Sequence, residues 1–221
     1  MLHLYQEITL LALRDEKGTV SIDHLAQVLA GALVAELVLE KKIVVSNDKK
    51  KWVDLVEPKP TGDPLLDECI EKLAKAKRRA RLQTWVERFS SIKKFHHKAA
   101  QSLCDLGILE RKTGKFLLVF NRRIYPENNP QPERQIIERL ETAIFAPAKE
   151  LSGRDALLVS LAHASKLLDQ VFGHKRIKLQ RARIQQIIEG EAVGKATQEL
   201  IAAIQLTIIT AAVVSAVVAG S

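Results

Sequence analysis

Apolar residues along this chain fall into runs separated by short charged or turn-forming stretches, and their spacing is mostly helical. Residues 2–13 form a first amphipathic stretch, closed by the turn Arg14-Asp15-Glu16-Lys17-Gly18. Ser21 stands where it can cap a second helix, which leads into an apolar run over residues 25–39. Within that run Gly31, Ala32 and Ala35 are small enough to admit another helix at close range. Residues 43–45 and 51–56 are short β-prone runs around Ser46-Asn47-Asp48, which predicts a hairpin.

The order then repeats. Residues 65–77 predict a helix, with Asp63 as N-cap, Pro64 in the first turn, and Asp67 and Glu68 near the positive end of its dipole. Residues 79–89 place Leu82, Trp85, Val86 and Phe89 on one side of the next helix. A further helix covers 92–106 and is stopped by Gly107. Residues 108–111 and 116–120 flank Lys112-Thr113-Gly114-Lys115, predicting a second hairpin turned by Gly114. Residues 126–132, with Pro126, Pro130 and Pro132, read as a linker. Beyond it lie helical stretches over 133–145, 155–171 and 178–189, and a last one over about 192–219.

The expected fold is therefore mainly α: a helical-bundle core with surrounding amphipathic helices and two small β-hairpins. We read one domain over residues 1–221, made of a first helix-hairpin unit (1–57), a second (58–125), the linker (126–132) and the C-terminal helices (133–221). Hydrophobic residues make up 47% of the 221, which is ample for a core and excludes disorder. Cys69 and Cys104 are isolated, which fits a reduced cytosolic compartment, and the N-terminus has no secretory pattern.

Charge changes this reading from structure to partners. The formal net charge is +8, which points to an anionic partner, either a membrane surface or nucleic acid. Residues 72–98 hold ten Lys and Arg against one acid, Glu87, and add His96 and His97. Lys93, His96, His97 and Lys98 lie within one predicted helix at spacings that let several face one phosphate. The second hairpin is another candidate: Lys112, Lys115, Arg122 and Arg123 surround Phe116, Leu117, Leu118 and Phe120, a mixture suited to a bilayer surface. Residues 200–221 carry no charge and predict a buried core helix, with a membrane anchor as the competing reading.

Nothing in the sequence signals catalysis. No nucleotide-binding loop, nucleophile elbow or HExxH motif is present, so neither an enzyme nor a cofactor is expected. His96-His97 is an adjacent pair that diverges on a helix and makes a poor metal site. His163, among Leu157, Leu158, Leu161, Leu167 and Leu168, is expected as a hydrogen-bonded core histidine.

Four blocks occur together in order between about residues 5 and 172: Ile8 through Gly18, Ala35-Glu36-Leu37, Pro60-Thr61-Gly62-Asp63-Pro64-Leu65-Leu66-Asp67-Glu68, and Leu161-Ala162-His163-Ala164-Ser165. In this the chain resembles the Golgi phosphoprotein 3 (GPP34) family of phosphoinositide-binding peripheral membrane proteins, and most closely its bacterial branch. The resemblance implies a cytoplasmic protein, peripherally membrane-associated, that binds anionic headgroups of the phosphatidylinositol 4-phosphate type. The family's two headgroup arginines fall on Lys93 and His96, a third arginine on Ala30, and its pocket tryptophan near residues 21–23, where no aromatic stands. The resemblance further implies self-association and membrane contact through the second hairpin. The competing function is a nucleic-acid-binding protein with two winged-helix-like units, in which the helix over 92–106 enters a major groove and Lys112 to Lys115 form a wing.

Overall fold

The long apolar run over residues 25–39 becomes the buried axis around which the other elements gather. A computed structural model describes residues 1–13, 25–116, 120–147, 151–190 and 198–205, with 113–116 and 120–124 as backbone only. Helix α1 (Leu4–Ala12) packs on α2 (Leu25–Leu39), and every side chain of α1 is buried. Gly31, Ala32 and Ala35 of α2 are all buried, as close helix packing requires.

Strands β1 (Ile43–Val45) and β2 (Trp52–Leu55) form the expected first hairpin. Helix α3 (Pro64–Ala74) follows, and then a strand the sequence pattern did not disclose, β3 (Ala80–Arg81), pairs with β2. The resulting sheet has the order β1-β2-β3, so the second unit is stitched to the first by its own backbone. Helices α4 (Leu82–Ser90) and α5 (Phe95–Asp105) pack against α2 and α1 respectively.

The second hairpin differs from expectation. Strands β4 (Lys112–Phe116) and β5 (Phe120–Ile124) pair with Gly114 opposite Arg122, so Gly114 lies inside a strand and not at the turn. The ladder reaches back to Lys112, opposite Ile124, and runs to the Phe116–Phe120 pair. Residues 126–129 are bonded to the segment that follows α5: Glu110 N–H donates to Pro126 O (2.9 Å) and Asn128 N–H to Ile108 O (2.8 Å).

Helix α6 (Gln131–Phe145) precedes α7 (Gly153–Ala164), α8 (Leu167–Phe172), α9 (His174–Leu179) and α10 (Arg181–Ile188). The stretch read as one helix over 155–171 is two, because Lys166 takes left-handed backbone (φ 59°) and breaks the ladder. A final helical stretch over 198–205 buries Leu200, Ile201, Ala203 and Ile204, and Gln205 Nε2 donates to Ser160 O at 2.8 Å. The start of the uncharged tail is thus core; the rest of it, residues 206–221, lies outside the described residues. The architecture is mainly α with small antiparallel sheets.

Burying α1 whole carries polar groups into the interior, and a buried polar group costs free energy unless it is bonded. Glu36 of α2 accepts from Leu4 N–H (2.6 Å) and from Arg154 Nη1 and Nη2 (2.8 and 3.0 Å), while Arg154 Nη2 also donates to Leu2 O (2.5 Å). Burial opposes the Glu36 charge, but the bonds from His3, Arg154 and Leu4 N–H outweigh it and bring the carboxyl down to about 2. Glu7 is held by Arg139 Nη1 at 2.5 Å, and Arg139 Nε donates to Asp155 at 2.9 Å. Here burial prevails over Arg139 and raises the Glu7 carboxyl above its usual range. Tyr5 donates its hydroxyl to Asp63 at 2.6 Å.

Removing one partner of a buried ion pair leaves the other uncompensated. Arg154→Ala is therefore expected to lower unfolding free energy by about 3–5 kcal/mol in urea titration, whereas replacing Glu36 and Arg154 together with apolar residues costs less. Because the Glu36 carboxyl is depressed in the fold, its contribution is fully present above pH 4.5 and fades as pH falls toward about 2. Tyr5→Phe keeps the ring but orphans one oxygen of Asp63, and is expected to cost about 1–3 kcal/mol in the same titration.

Candidate functional site: the start of helix α5

The site begins with the turn before α3. Asp63 Oδ1 accepts from Leu65 N–H (3.0 Å) and Leu66 N–H (2.9 Å), capping the helix, while its other oxygen takes the Tyr5 hydroxyl. Thr61 donates its N–H (2.6 Å) and its hydroxyl (2.8 Å) to Asp67, and Gly62 between them sits at φ +90°, where a side chain would be strained. These bonds set the direction of α3, so that Glu68 meets α5. Lys98 of α5 donates to one oxygen of Glu68, and Lys72 lies 3.6 Å from the other.

Helix α5 is seated by Phe95, Ala99, Ala100 and Leu103, all buried, and Gln6 Nε2 of α1 donates to Ser102 Oγ at 3.2 Å. Its N-terminal end is unusual. Lys94, the N-cap residue, adopts left-handed backbone (φ 57°), no side chain caps the helix, and its first turn contains no acid. In place of acids stand Lys93, Lys94, His96, His97 and Lys98, all exposed. Helix N-termini attract anions and disfavour cations, and in this turn Lys98 meets a carboxylate, that of Glu68.

Beside this end, between the beginning of α3 and the exposed flank of α5, lies a cavity of about 390 Å³. Pro64 and Leu65 form its apolar side, and Lys94, His97, Lys98, Ser102 and Arg111 its polar side, with Glu68 and Asp105 as the acids. His97 Nδ1 is 3.0 Å from the Tyr125 hydroxyl, and Arg111 Nη1 donates to Gln101 at 3.4 Å. Partial burial, helped by the neighbouring His97, lowers the pKa of His96, so its ring is neutral at neutral pH.

Of the residues expected from sequence, His97 and Lys98 line the cavity; His96 starts the helix outside the lining, and Lys93 precedes the helix. The spacing argument from Lys93 therefore does not apply, since α5 begins at Phe95 rather than at residue 92. Sequence reasoning missed Lys94, Arg111 and Glu68. Glu68 is explained by more than the dipole of α3, because it pairs with Lys98 across the cavity rim. Ala30, where the family has an arginine, is wholly buried in α2, and residues 21–23 lie outside the described residues.

In the second hairpin, Lys112 is exposed and pairs with Glu110 at 2.9 Å. Lys115 and Phe116 belong to β4, Arg122 and Arg123 to β5 opposite Gly114 and Thr113, and Leu117 lies outside the described residues. His163 corrects an expectation: it is exposed, because Leu157, Leu158, Leu161 and Ala162 turn the other side of α7 to the core. The buried hydrogen-bonding residue of that block is Ser165, whose hydroxyl donates to Leu161 O at 2.9 Å.

Among the described residues, the one group that gathers potential metal ligands is His3, Glu36 and Glu40, with ligand atoms within 4.8 Å of one another. Arg154 already occupies Glu36, so the site is taken by a cation of the protein's own. No helix among the described residues is long and apolar enough to cross a membrane.

Vacuolar protein sorting-associated protein 74 of Schizosaccharomyces pombe is 26% identical over 171 residues, which is 68% of this chain and 50% of the yeast protein. The chain thus spans about half the length of that curated relative. The Golgi phosphoprotein 3 (GPP34) family profile matches residues 4–204, from the first residue of α1 into the last described helix, and the chain belongs to that family.

Proposed function

We propose that this protein is a non-enzymatic peripheral membrane protein that binds anionic, phosphorylated lipid headgroups at the start of α5. The observation that carries the reading is the uncapped, acid-free first turn of that helix, ringed by cations and opening beside a cavity. Backbone N–H groups and the helix dipole supply a field for phosphate, while Lys94, Lys98 and Arg111 supply charge-assisted donors. A phosphoinositide of the phosphatidylinositol 4-phosphate type is the headgroup class this chemistry suits. The basic hairpin formed by β4 and β5 is the second membrane contact in this reading, and a site of self-association.

Co-sedimentation with liposomes tests it, comparing neutral lipid, phosphatidylserine and phosphatidylinositol 4-phosphate at matched charge. The expected result is preference for the phosphoinositide, lost in Lys94→Ala/Arg111→Ala. Lys93→Ala/His96→Ala should weaken binding to both anionic membranes alike, by roughly fivefold at neutral pH, where Lys93 carries the one charge removed. Absence of binding to every anionic membrane would sink the proposal; duplex DNA binding that falls steeply with salt would favour the winged-helix alternative.

Acidification gives an independent check. His96 is held below 6.5 and gains its proton only as pH falls through that lowered value. Affinity for phosphatidylserine vesicles is expected to rise between pH 7.5 and 5.5, by up to roughly fivefold from this ring, and His96→Ala should flatten the rise.

A further inference from the structure

The outer face of the β1-β2-β3 sheet brings apolar, aromatic and basic groups together. Strand β2 turns Val53 inward, where it is buried, and by alternation turns Trp52 and Asp54 outward. The register sets Val44 opposite Asp54 and Arg81 opposite Trp52, so all four share that face. Val44 is 48% exposed, and Val56, next in the alternation beyond β2, is 57% exposed. The Trp52 indole is half-buried and is surrounded by three cations: Arg79 at 5.3 Å, Lys50 at 5.8 Å and Arg81 at 5.8 Å from the ring centroid.

Residues 44–56 and 77–81 contain seven Lys and Arg against two Asp. Both acids are already engaged. Asp48 accepts from the backbone N–H groups of Lys50 (2.7 Å) and Lys51 (3.1 Å), and Asp54 accepts from Arg79 Nε (2.6 Å). Among the described residues neither Lys50 nor Arg81 has a carboxylate partner, so the indole quadrupole is what gathers them.

We propose that this sheet face rests on the surface of an anionic bilayer, with Trp52 at headgroup depth, Val44 and Val56 beside it, and Lys50, Arg79 and Arg81 on lipid phosphates. An amphipathic indole favours the membrane–water interface, and basic groups around it favour anionic lipid. Single-stranded nucleic acid fits less well, because such platforms stack successive bases on several aromatic rings and this face has one. The inference rests on the membrane reading above but assigns a different surface.

The chain has two tryptophans, and Trp85 is buried, so the difference between wild-type and Trp52→Phe emission reports Trp52 alone. The probes are phosphatidylcholine vesicles, the same doped with phosphatidylserine, and doped vesicles carrying brominated acyl chains. The expected result with doped vesicles is a blue shift and bromine quenching that vanish in Trp52→Phe. Lys50→Glu/Arg81→Glu should lower vesicle affinity by at least roughly tenfold with an unchanged circular dichroism spectrum and melting temperature. Sedimentation with doped vesicles while Trp52 emission stays unshifted and unquenched would overturn this inference and leave the α5 headgroup site standing. Failure to sediment with any anionic vesicle would overturn both. A Trp52 response to a single-stranded oligonucleotide, and not to vesicles, would assign the face to nucleic acid and overturn the membrane assignment.

Discussion

The complete burial of α1 is the constraint on which the rest of the structure depends. A nine-residue helix carrying Gln6, Glu7 and Thr9 cannot enter an apolar interior unless its polar groups find partners there. Thr9 bonds within the helix, to Tyr5 O, and the other partners come from distant parts of the chain: Ser102 for Gln6 and Arg139 for Glu7, with Asp63 receiving the Tyr5 hydroxyl. At the helix entrance, Glu36 and Arg154 hold the backbone of Leu4 and Leu2. Hydrophobic burial would tolerate α1 in several rotations, whereas these bonds are satisfied in one.

The same bonds aim the candidate site. Tyr5 fixes Asp63, Asp63 caps α3, and α3 delivers Glu68 to Lys98 at the start of α5. Gln6 reaches Ser102, one turn along α5 from Lys98. The basic end of α5 is therefore held from both sides by groups tied to α1. Lys98 stands on the helix itself and Lys94 at its N-cap, next to the buried Phe95.

Much of this was legible in the sequence. The apolar runs gave α2 as far as its end at Leu39, the first hairpin, and the Asp63-Pro64 entry to α3, because period and capping chemistry are local properties. What stayed hidden depends on contacts distant in sequence or on backbone choices that composition does not reveal. Strand β3 has only two residues and exists because β2 offers it an edge. The left-handed backbone at Lys94 and Lys166 broke two helices where the hydrophobic pattern ran on. At the site, the density of basic residues was visible, yet Arg111 joined through the fold, and His163 was misread because its leucine neighbours face away from it.

The double engagement of Glu68 has a consequence for selectivity. Lys98 and Lys72 share this one carboxylate, so in the proposed site an anion has to compete with Glu68 for Lys98. A singly charged phosphodiester would only exchange one negative group for another of similar strength. A doubly charged phosphomonoester gains on that exchange, since it can draw Lys98 to itself and still engage Lys94 and the helix end. An internal carboxylate of this kind acts as a resident competitor, which sets a threshold of charge density that a ligand must exceed.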